Sequence, residues 1–211
     1  MKTLIHEETY RGSKLLTKMA DQDLVFCGVG AVGSNLVENM IRQGFSKISV
    51  IDMDRIEDHN RQTQIWTQRE AGQLKTAMMK ARAFNVMGIT INDIPHKLEA
   101  SNIKKFLKPG QIVIDSFDNV ESRRLVTEHC LSNKIECIHI GLYQDVAEIC
   151  WNERYRIPDK VTGLDVCEYP LARNIILLAV ALGTESIIRY MDTGVKENLL
   201  ITLKDFKISH I

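Results

Sequence analysis

Short apolar runs alternate along the chain with longer stretches whose apolar residues recur at helical spacing. The apolar runs have the length of strands, which we predict at 23–28, 47–51, 89–93, 111–115, 135–140, 146–151 and within 198–206. The intervening stretches predict helices at 11–20, 32–43, 74–86, 101–107, 119–132 and 170–191. Strands that alternate with helices indicate a parallel sheet covered on both faces. We therefore expect an α/β fold with a Rossmann-like, doubly wound, mostly parallel sheet and antiparallel strands at its C-terminal side.

A glycine-rich turn follows the first predicted strand. Gly28, Gly30 and Gly33 form G-x-G-x-x-G directly before a predicted helix, and Asp52 ends the next apolar run. Glycines let the backbone approach a phosphate closely, and the helix N-terminus offers unpaired N–H groups. A carboxylate at the end of the second strand can accept hydrogen bonds from ribose hydroxyls. The pattern predicts a mononucleotide site and leaves NAD, ATP and S-adenosylmethionine open.

The stretch after the second predicted strand is polar and unusually long. A dehydrogenase of this fold usually leaves that strand through a brief turn, whereas here more than twenty residues separate Asp52 from Lys75. This stretch resembles the ThiF/MoeB family of ubiquitin-activating-like adenylyltransferases, which has D-x-D-x-V/I, an asparagine loop ending in Gln, and G-x-P-K. A second segment, VIDSFDNVESRR, is similar to the family's D-x-x-D-N-x-x-x-R, and the helix 175–182 resembles its closing helix. The resemblance extends from residue 24 to about 195.

The resemblance implies ATP as the nucleotide and Mg²⁺ as the metal. It implies that the glycine loop approaches the triphosphate, that Asp52 binds the ribose, and that Asn60 and Lys75 contact the phosphates. Leu74 stands where the family usually has proline before this lysine. Asp118 matches the aspartate that holds magnesium. The nucleotide-binding candidates are Gly28, Gly30, Gly33, Asp52, Asp54, Asn60, Gln64, Lys75 and Asn119, and the catalytic candidates are Lys75, Asp118, Arg61 and Cys167.

One position departs from the family pattern. Many members have an arginine three residues after the asparagine, just before Gln, and that position here is Thr63. Arg61 precedes Gln62 in a similar pair that falls two residues early. Either the loop is shorter and Arg61 takes the role, or the spacing is kept and the arginine is missing. We favour the kept spacing.

Several candidates also have a purely structural interpretation. Lys75 could be a solvated residue at the start of a helix, and Asp118-Asn119 could serve only as a helix N-cap, a role compatible with metal binding. Asp115 is expected to be structural. Cys167 lies where family members that pass their substrate onward carry a reactive cysteine, although acidic neighbours oppose a lowered pKa. Cys150, inside a predicted strand, is the poorer candidate.

The bulk composition limits the class of partner. With 27 basic and 27 acidic residues, the chain gives no reason to expect a nucleic acid partner. Five cysteines without a C-x-x-C pair argue against a disulfide framework and a structural zinc site. No apolar run of eighteen residues or signal-peptide core is present, so we expect a cytoplasmic protein without a membrane partner. We predict a single ThiF-like ATP-binding adenylation domain over residues 1–211.

The helix 170–191 is apolar on every side, which one small domain could bury only with difficulty. This pattern and the resemblance predict a homodimer, in which Arg11 could match an arginine lent across the interface. The leading function is adenylation of a carboxylate, with the C-terminal glycine of a ubiquitin-like or sulfur-carrier protein as substrate and possible transfer to a cysteine. The alternatives are activation of a modified tRNA nucleoside, a degenerate nucleotide-binding scaffold for an active subunit, and an NAD-dependent oxidoreductase.

Overall fold

The computed structural model describes residues 2–157 and 170–211. Their strands form one eight-stranded sheet in the order β3-β2-β1-β4-β5-β6-β7-β8. The strands are β1 (Leu24–Cys27), β2 (Ile48–Ile51), β3 (Asn92–Ile94), β4 (Ile112–Asp115), β5 (Glu136–Tyr143), β6 (Val146–Trp151), β7 (Leu199–Thr202) and β8 (Lys207–His210). β1 to β5 are parallel, and the pairs from β5 to β8 are antiparallel. The predicted fold class is confirmed.

Helices lie in the connections between the parallel strands, before β1 and between β6 and β7. They are α1 (Ile5–Arg11), α2 (Ser13–Asp21), α3 (Ala31–Arg42), α4 (Lys75–Met87), α5 (Ile103–Phe106), α6 (Val120–Asn133) and α7 (Arg173–Thr193). Short 3-10 helices occur at Lys2–Leu4, Asp58–Gln62 and Gln68–Glu70. The single helix predicted at 11–20 was wrong at its start, because Gly12 with φ 81° separates α1 from α2.

The C-terminal tail also differs from the prediction. The apolar stretch 198–206 was expected to be one strand, but β7 ends at Thr202 and the chain reverses into β8. The Thr202 hydroxyl donates to the Asp205 carboxylate, and Phe206 adopts φ 52°. This local turn chemistry converts the predicted last strand into a hairpin.

Apolar side chains are buried on both faces of the sheet. One cluster joins Phe26, Val50 and Ile114 to α3, α4 and α7, and the other joins Cys27 and Val113 to α5 and α6. The helices therefore lie on both faces, as in a doubly wound fold. The strands β1, β2 and β4 end at a common edge, where polar loops follow each of them.

Helix α7 is a core helix with one exposed apolar side. Among the described residues, it alone has the length and mean hydropathy, 1.4, of a membrane-crossing helix, and half of that window is buried. Gly183 faces the sheet so closely that a β-carbon there would lie 2.7 Å from Ile140 Cδ1. The expectation that one domain could hardly bury this helix was partly wrong, because the sheet and α3 cover one side. Leu177 and Leu178 remain 44% and 36% exposed.

Candidate active site

The three glycines of the loop after β1 have different structural roles. Gly28 has φ 94° and its N–H donates to the carbonyl of Ile51 at 2.9 Å. Gly33 packs against this turn, since a β-carbon at Gly33 would lie 2.1 Å from the Gly28 oxygen. A β-carbon at Gly30 would meet no atom within 4 Å. Gly28 and Gly33 are thus needed for the turn and its packing, whereas Gly30 borders open space at the start of α3.

Asp52 connects the end of β2 to the glycine loop. Its two carboxylate oxygens accept the backbone N–H groups of Val29 at 2.9 Å and Asp54 at 2.8 Å. Burial raises the pKa of Asp52 above its ordinary value, although nearby Lys75 and these two hydrogen bonds act in the opposite direction. Each oxygen has a second lone pair, so the carboxylate can still accept a hydrogen bond from a hydroxyl group.

Lys75 begins α4 and is buried, although a lysine at a helix start could have been solvated. Only 7% of its surface is exposed, and its Nζ lies 3.0 Å from Asp54 Oδ2. The Lys75 N–H also donates to the Asp54 carbonyl at 3.0 Å. The loop 52–74 therefore folds back and places a buried ammonium group beside the carboxyl end of β2.

The asparagine loop is anchored to α3 by a residue that the sequence analysis missed. The Asn35 side-chain amide donates to the carbonyl groups of Ala31 at 2.7 Å and Thr63 at 2.9 Å. Asn60 and Gln64 are both 8% exposed, and the Gln64 N–H donates to the Asn60 carbonyl at 2.8 Å. A polar residue on the buried side of a predicted amphipathic helix was the only sequence signal for Asn35.

Asn60 and Gln64, the two loop residues that match the family pattern if its spacing is kept, are both buried. The Asn60 oxygen accepts the Glu57 N–H at 3.0 Å, and its Nδ2 has no hydrogen-bond partner among the described residues. Arg61 instead points outward and lies 3.3 Å from Asp58, with 38% of its side chain exposed. Thr63 occupies the position where many members of the family have an arginine. Arg61 stays a predicted catalytic residue.

Asp118 and Asn119 follow β4 at the same edge of the sheet. Both are exposed, and the Asn119 side chain caps α6 by accepting the Ser122 N–H at 2.8 Å. Asn119 is therefore an N-cap, as one interpretation of the sequence proposed. The carboxylate of Asp118 contacts only the Asn119 amide, at 3.5 Å, among the described residues. It is accessible to a cation or a ligand.

Beneath this loop lies a buried polar cluster that we name the Asp115 cluster: Asp115, Arg123, His139, Asn152 and Tyr155. His139 bridges Asp115 Oδ2 and Asn152 Oδ1 at 2.8 and 2.7 Å and stacks on the Tyr155 ring. Arg123 donates to the Tyr155 hydroxyl and to the Ile140 carbonyl, and lies 3.7 Å from Asp115. Burial alone would raise the pKa of Asp115, but Arg123 and His139 hold it below its ordinary value. Asp115 also accepts the Phe117 N–H, so the cluster positions the Asp118 loop.

The cysteines of the described part are free and buried. Burial raises the pKa of Cys150 to about 12, with Glu148 adding to the effect, so this thiol is a poor nucleophile. Cys167 lies outside the described residues, and its assigned role stays a prediction. Arg11, considered as an arginine lent to a partner, is held by Glu185 at 2.8 Å in its own chain.

Comparison with known proteins identifies the family. A model described as the ThiF family matches residues 5–149, more than half of the chain. The chain belongs to the ThiF family. The matched range includes the glycine loop after β1 and the polar loop before Lys75.

Several proteins are similar to this chain in sequence, and solved structures share its fold. The tRNA threonylcarbamoyladenosine dehydratase of Haemophilus influenzae is 33% identical over 130 residues, which are 60% of this chain and 49% of that protein. The sulfur carrier protein adenylyltransferase of Thermus thermophilus is 28% identical over 108 residues, 50% of this chain and 40% of that protein. Among solved structures, Escherichia coli MccB has a TM-score of 0.81 at 17% identity and covers 98% of this chain and 67% of its own. The chain spans about half the length of the curated relatives it matches.

Proposed function

We propose that this chain is an ATP-dependent adenylyltransferase that activates a carboxylate. The observation that carries the proposal is the buried ammonium group of Lys75, 3.0 Å from Asp54 and beside Asp52. A buried cation next to a glycine loop is suited to a polyanion, and a lysine binds phosphate as a point charge. The open space beside Gly30 allows a phosphate to approach the N–H groups at the start of α3.

Adenylation requires these charges because two anions must meet. A carboxylate oxygen attacks the α-phosphorus of ATP, and the bond to the bridging oxygen breaks while pyrophosphate leaves with its electron pair. Lys75 stabilises the negative charge that develops on the phosphates, and the neighbouring N–H groups of α3 act in the same direction. Asp118, exposed and at the end of β4, is the residue that would hold Mg²⁺. When bound, Mg²⁺ would supply further neutralisation of the triphosphate.

The named relatives support a proposal for the substrate class. Relatives include sulfur carrier protein adenylyltransferases, and MccB has also been solved with ATP. We propose that the activated carboxylate is the C-terminal glycine of a small ubiquitin-like or sulfur-carrier protein. Transfer to Cys167 is part of this hypothesis, and it predicts a thiol-sensitive adduct that is lost in Cys167→Ala.

We further propose a homodimer located in the cytoplasm. The exposed side of α7, with Leu177 and Leu178, offers an apolar surface for a second copy of the chain. The free cysteines of the described part are typical of proteins kept in a reducing compartment. The extension of one adenylation domain over residues 1–211 stays a prediction.

The decisive experiment is carrier-stimulated exchange of pyrophosphate into ATP, with wild type, Asp118→Ala and Asp192→Ala compared. Asp192 is an exposed aspartate near the C-terminal end of α7 and serves as the matched control. We expect exchange that depends on Mg²⁺ in wild type and in the control, and none in Asp118→Ala with an unchanged circular dichroism spectrum. Full exchange in Asp118→Ala would remove this residue from the mechanism. ATP binding without any exchange would favour the scaffold hypothesis.

A second candidate is activation of a modified tRNA nucleoside. It is favoured by the 33% identity to a protein named tRNA threonylcarbamoyladenosine dehydratase. The same chemistry at the α-phosphate would apply to an oxygen of the modified base. ATP consumption that is stimulated by modified tRNA and not by carrier proteins would select this alternative.

A further inference from the structure

Arg173, the first residue of α7, has a contact that neither the sequence analysis nor the packing of the fold explains. Its Nη1 donates to the carbonyl oxygen of Gln62 at 3.1 Å, although 111 residues separate the two in the chain. The side chain is exposed and has no carboxylate within ion-pair distance among the described residues. A guanidinium group has five N–H donors, so most of its hydrogen-bonding capacity is available to a ligand.

The start of α7 lies at the edge of the sheet that carries the nucleotide site. Leu171 forms a bridge with Gln144, in the turn between β5 and β6, and the Ala172 N–H donates to the Gln144 carbonyl. Because β5 is parallel to β1 and β4, this turn lies beyond the same strand ends as the glycine loop. Arg173 therefore lies at the edge of the sheet that carries the glycine loop.

The contact with Gln62 brings Arg173 close to the first turns of α3. The next residue, Thr63, is bonded through its carbonyl group to Asn35, whose amide also bonds to Ala31. Asp52 contacts Val29, before α3, at the predicted ribose position. The backbone next to Gly30 is therefore joined through Asn35 to the segment that Arg173 contacts.

The neighbouring cations differ from Arg173 in their charge balance. Lys75 lies 3.0 Å from Asp54, and Arg61 lies 3.3 Å from Asp58, so each of these two cations has a carboxylate within ion-pair distance. ATP carries several negative charges, and a guanidinium that is free of carboxylates can bind phosphate oxygens in a bidentate manner. Arg173 has no carboxylate partner in the described ranges 2–157 and 170–211, and its charge is therefore suited to the part of the nucleotide farthest from the ribose.

We propose that Arg173 binds the β- and γ-phosphates of ATP and closes the nucleotide site from the α7 side. It would supply from another element the positive charge that the loop lacks at Thr63. The inference rests on the proposed function only in taking ATP as the nucleotide. It assigns a phosphate-binding residue, and it does not require the activated substrate to be known.

The test compares ATP and AMP binding by calorimetric titration of the full chain. Arg173→Gln removes the charge but keeps an amide that can still donate to the Gln62 carbonyl, and Arg173→Lys keeps the charge without the fork. Arg189→Gln removes a charge from the other end of the same helix and is the matched control. We expect Arg173→Gln to weaken ATP binding about tenfold or more, from the loss of a charge-assisted hydrogen bond, and AMP binding less than about twofold. Arg173→Lys should lie between wild type and Arg173→Gln.

Two results would overturn the inference. Equal weakening of ATP and AMP would show that Arg173 only tethers α7 to the loop, and unchanged ATP affinity would show that it does not contact the phosphates. Both results leave the proposed adenylation intact if wild type still exchanges pyrophosphate. Conversely, a wild type that binds ATP without exchange would refute the proposed function while the Arg173 comparison remains decisive.

Discussion

Replacing Gly33 by alanine places a methyl group inside the contact between α3 and the glycine loop. The new β-carbon would lie 2.1 Å from the Gly28 oxygen and 2.7 Å from Ser116 Oγ. The Ser116 hydroxyl can rotate, but the Gly28 oxygen belongs to a backbone turn whose N–H is bonded to β2. Relief therefore requires α3 to move away from β1.

The magnitude follows from two opposing contributions. Overpacking a filled core costs about 1–3 kcal/mol, and a clash with backbone belongs at the upper end of that range. Alanine in place of glycine within a helix stabilises the folded state by at most about 1 kcal/mol. We expect Gly33→Ala to lower the free energy of unfolding by about 2 kcal/mol. For a chain of this size, that corresponds to a fall in Tm of about 4–8 °C.

The matched control is Gly30→Ala, three residues earlier. Gly30 has φ −80° and a β-carbon there meets no atom within 4 Å, so alanine fits the free protein. We expect its Tm to stay within about 1–2 °C of wild type, because a surface change away from packed contacts costs little. ATP affinity should nevertheless fall, because the methyl group occupies the space through which a phosphate approaches α3.

Thermal unfolding by circular dichroism without nucleotide, followed by ATP titration, separates the two effects. The expected result is a stability loss in Gly33→Ala and a binding loss without a stability loss in Gly30→Ala. If Gly33→Ala unfolds at the wild-type temperature, the close packing at this turn is refuted. If Gly30→Ala binds ATP as wild type does, the phosphate does not approach the loop at Gly30.

Three further predictions concern other parts of the molecule. Lys75→Met should leave the fold intact and reduce pyrophosphate exchange by about 100-fold or more, and exchange within tenfold of wild type would contradict its role. Asp115→Asn should cost about 3–5 kcal/mol in urea unfolding at pH 7, because it leaves buried Arg123 without its anion. The pKa of Asp115 is lowered in the folded state, so this stabilisation is present above about pH 4 and is lost as the pH falls through the lowered pKa. A stability difference between wild type and Asp115→Asn that persists in acid would argue against this reasoning. Glutamate at both Leu177 and Leu178 should convert the proposed dimer to a monomer in sedimentation at micromolar concentration, and a monomeric wild type would disprove the dimer.

The sequence predicted the fold class and most of the strands because these depend on local patterns. Alternation of apolar runs and helical repeats identified seven of the eight strands of the described part, although their ends shifted by a few residues. The hairpin at 203–206 was missed, because its reversal depends on a side-chain hydrogen bond and a left-handed residue rather than on apolar periodicity. The break at Gly12 was missed for a similar reason.

Side chains that act across the fold were beyond the reach of the sequence. Asn35 and Arg173 stand 25 or more residues from the asparagine loop that they contact, and no periodic pattern connects them. The groups that lower the pKa of Asp115 are Arg123 of α6 and His139 of β5, so the lowered pKa depends on strand pairing and on the packing of α6. A β-carbon would clash at Gly33 but not at Gly30, and this difference likewise exists only once α3 has packed on the turn.

The sequence by itself determined the α/β class, the glycine loop and the polar residues at the strand ends, because these are set by spacing along a few turns of chain. The tertiary structure decided which of these residues are buried, paired or open to a ligand. Lys75 is buried against Asp54, 21 residues earlier in the chain, and Arg173 contacts Gln62 although 111 residues separate the two. Such distinctions depend on distances between segments remote in sequence, and those distances exist only once the sheet and its helices have packed.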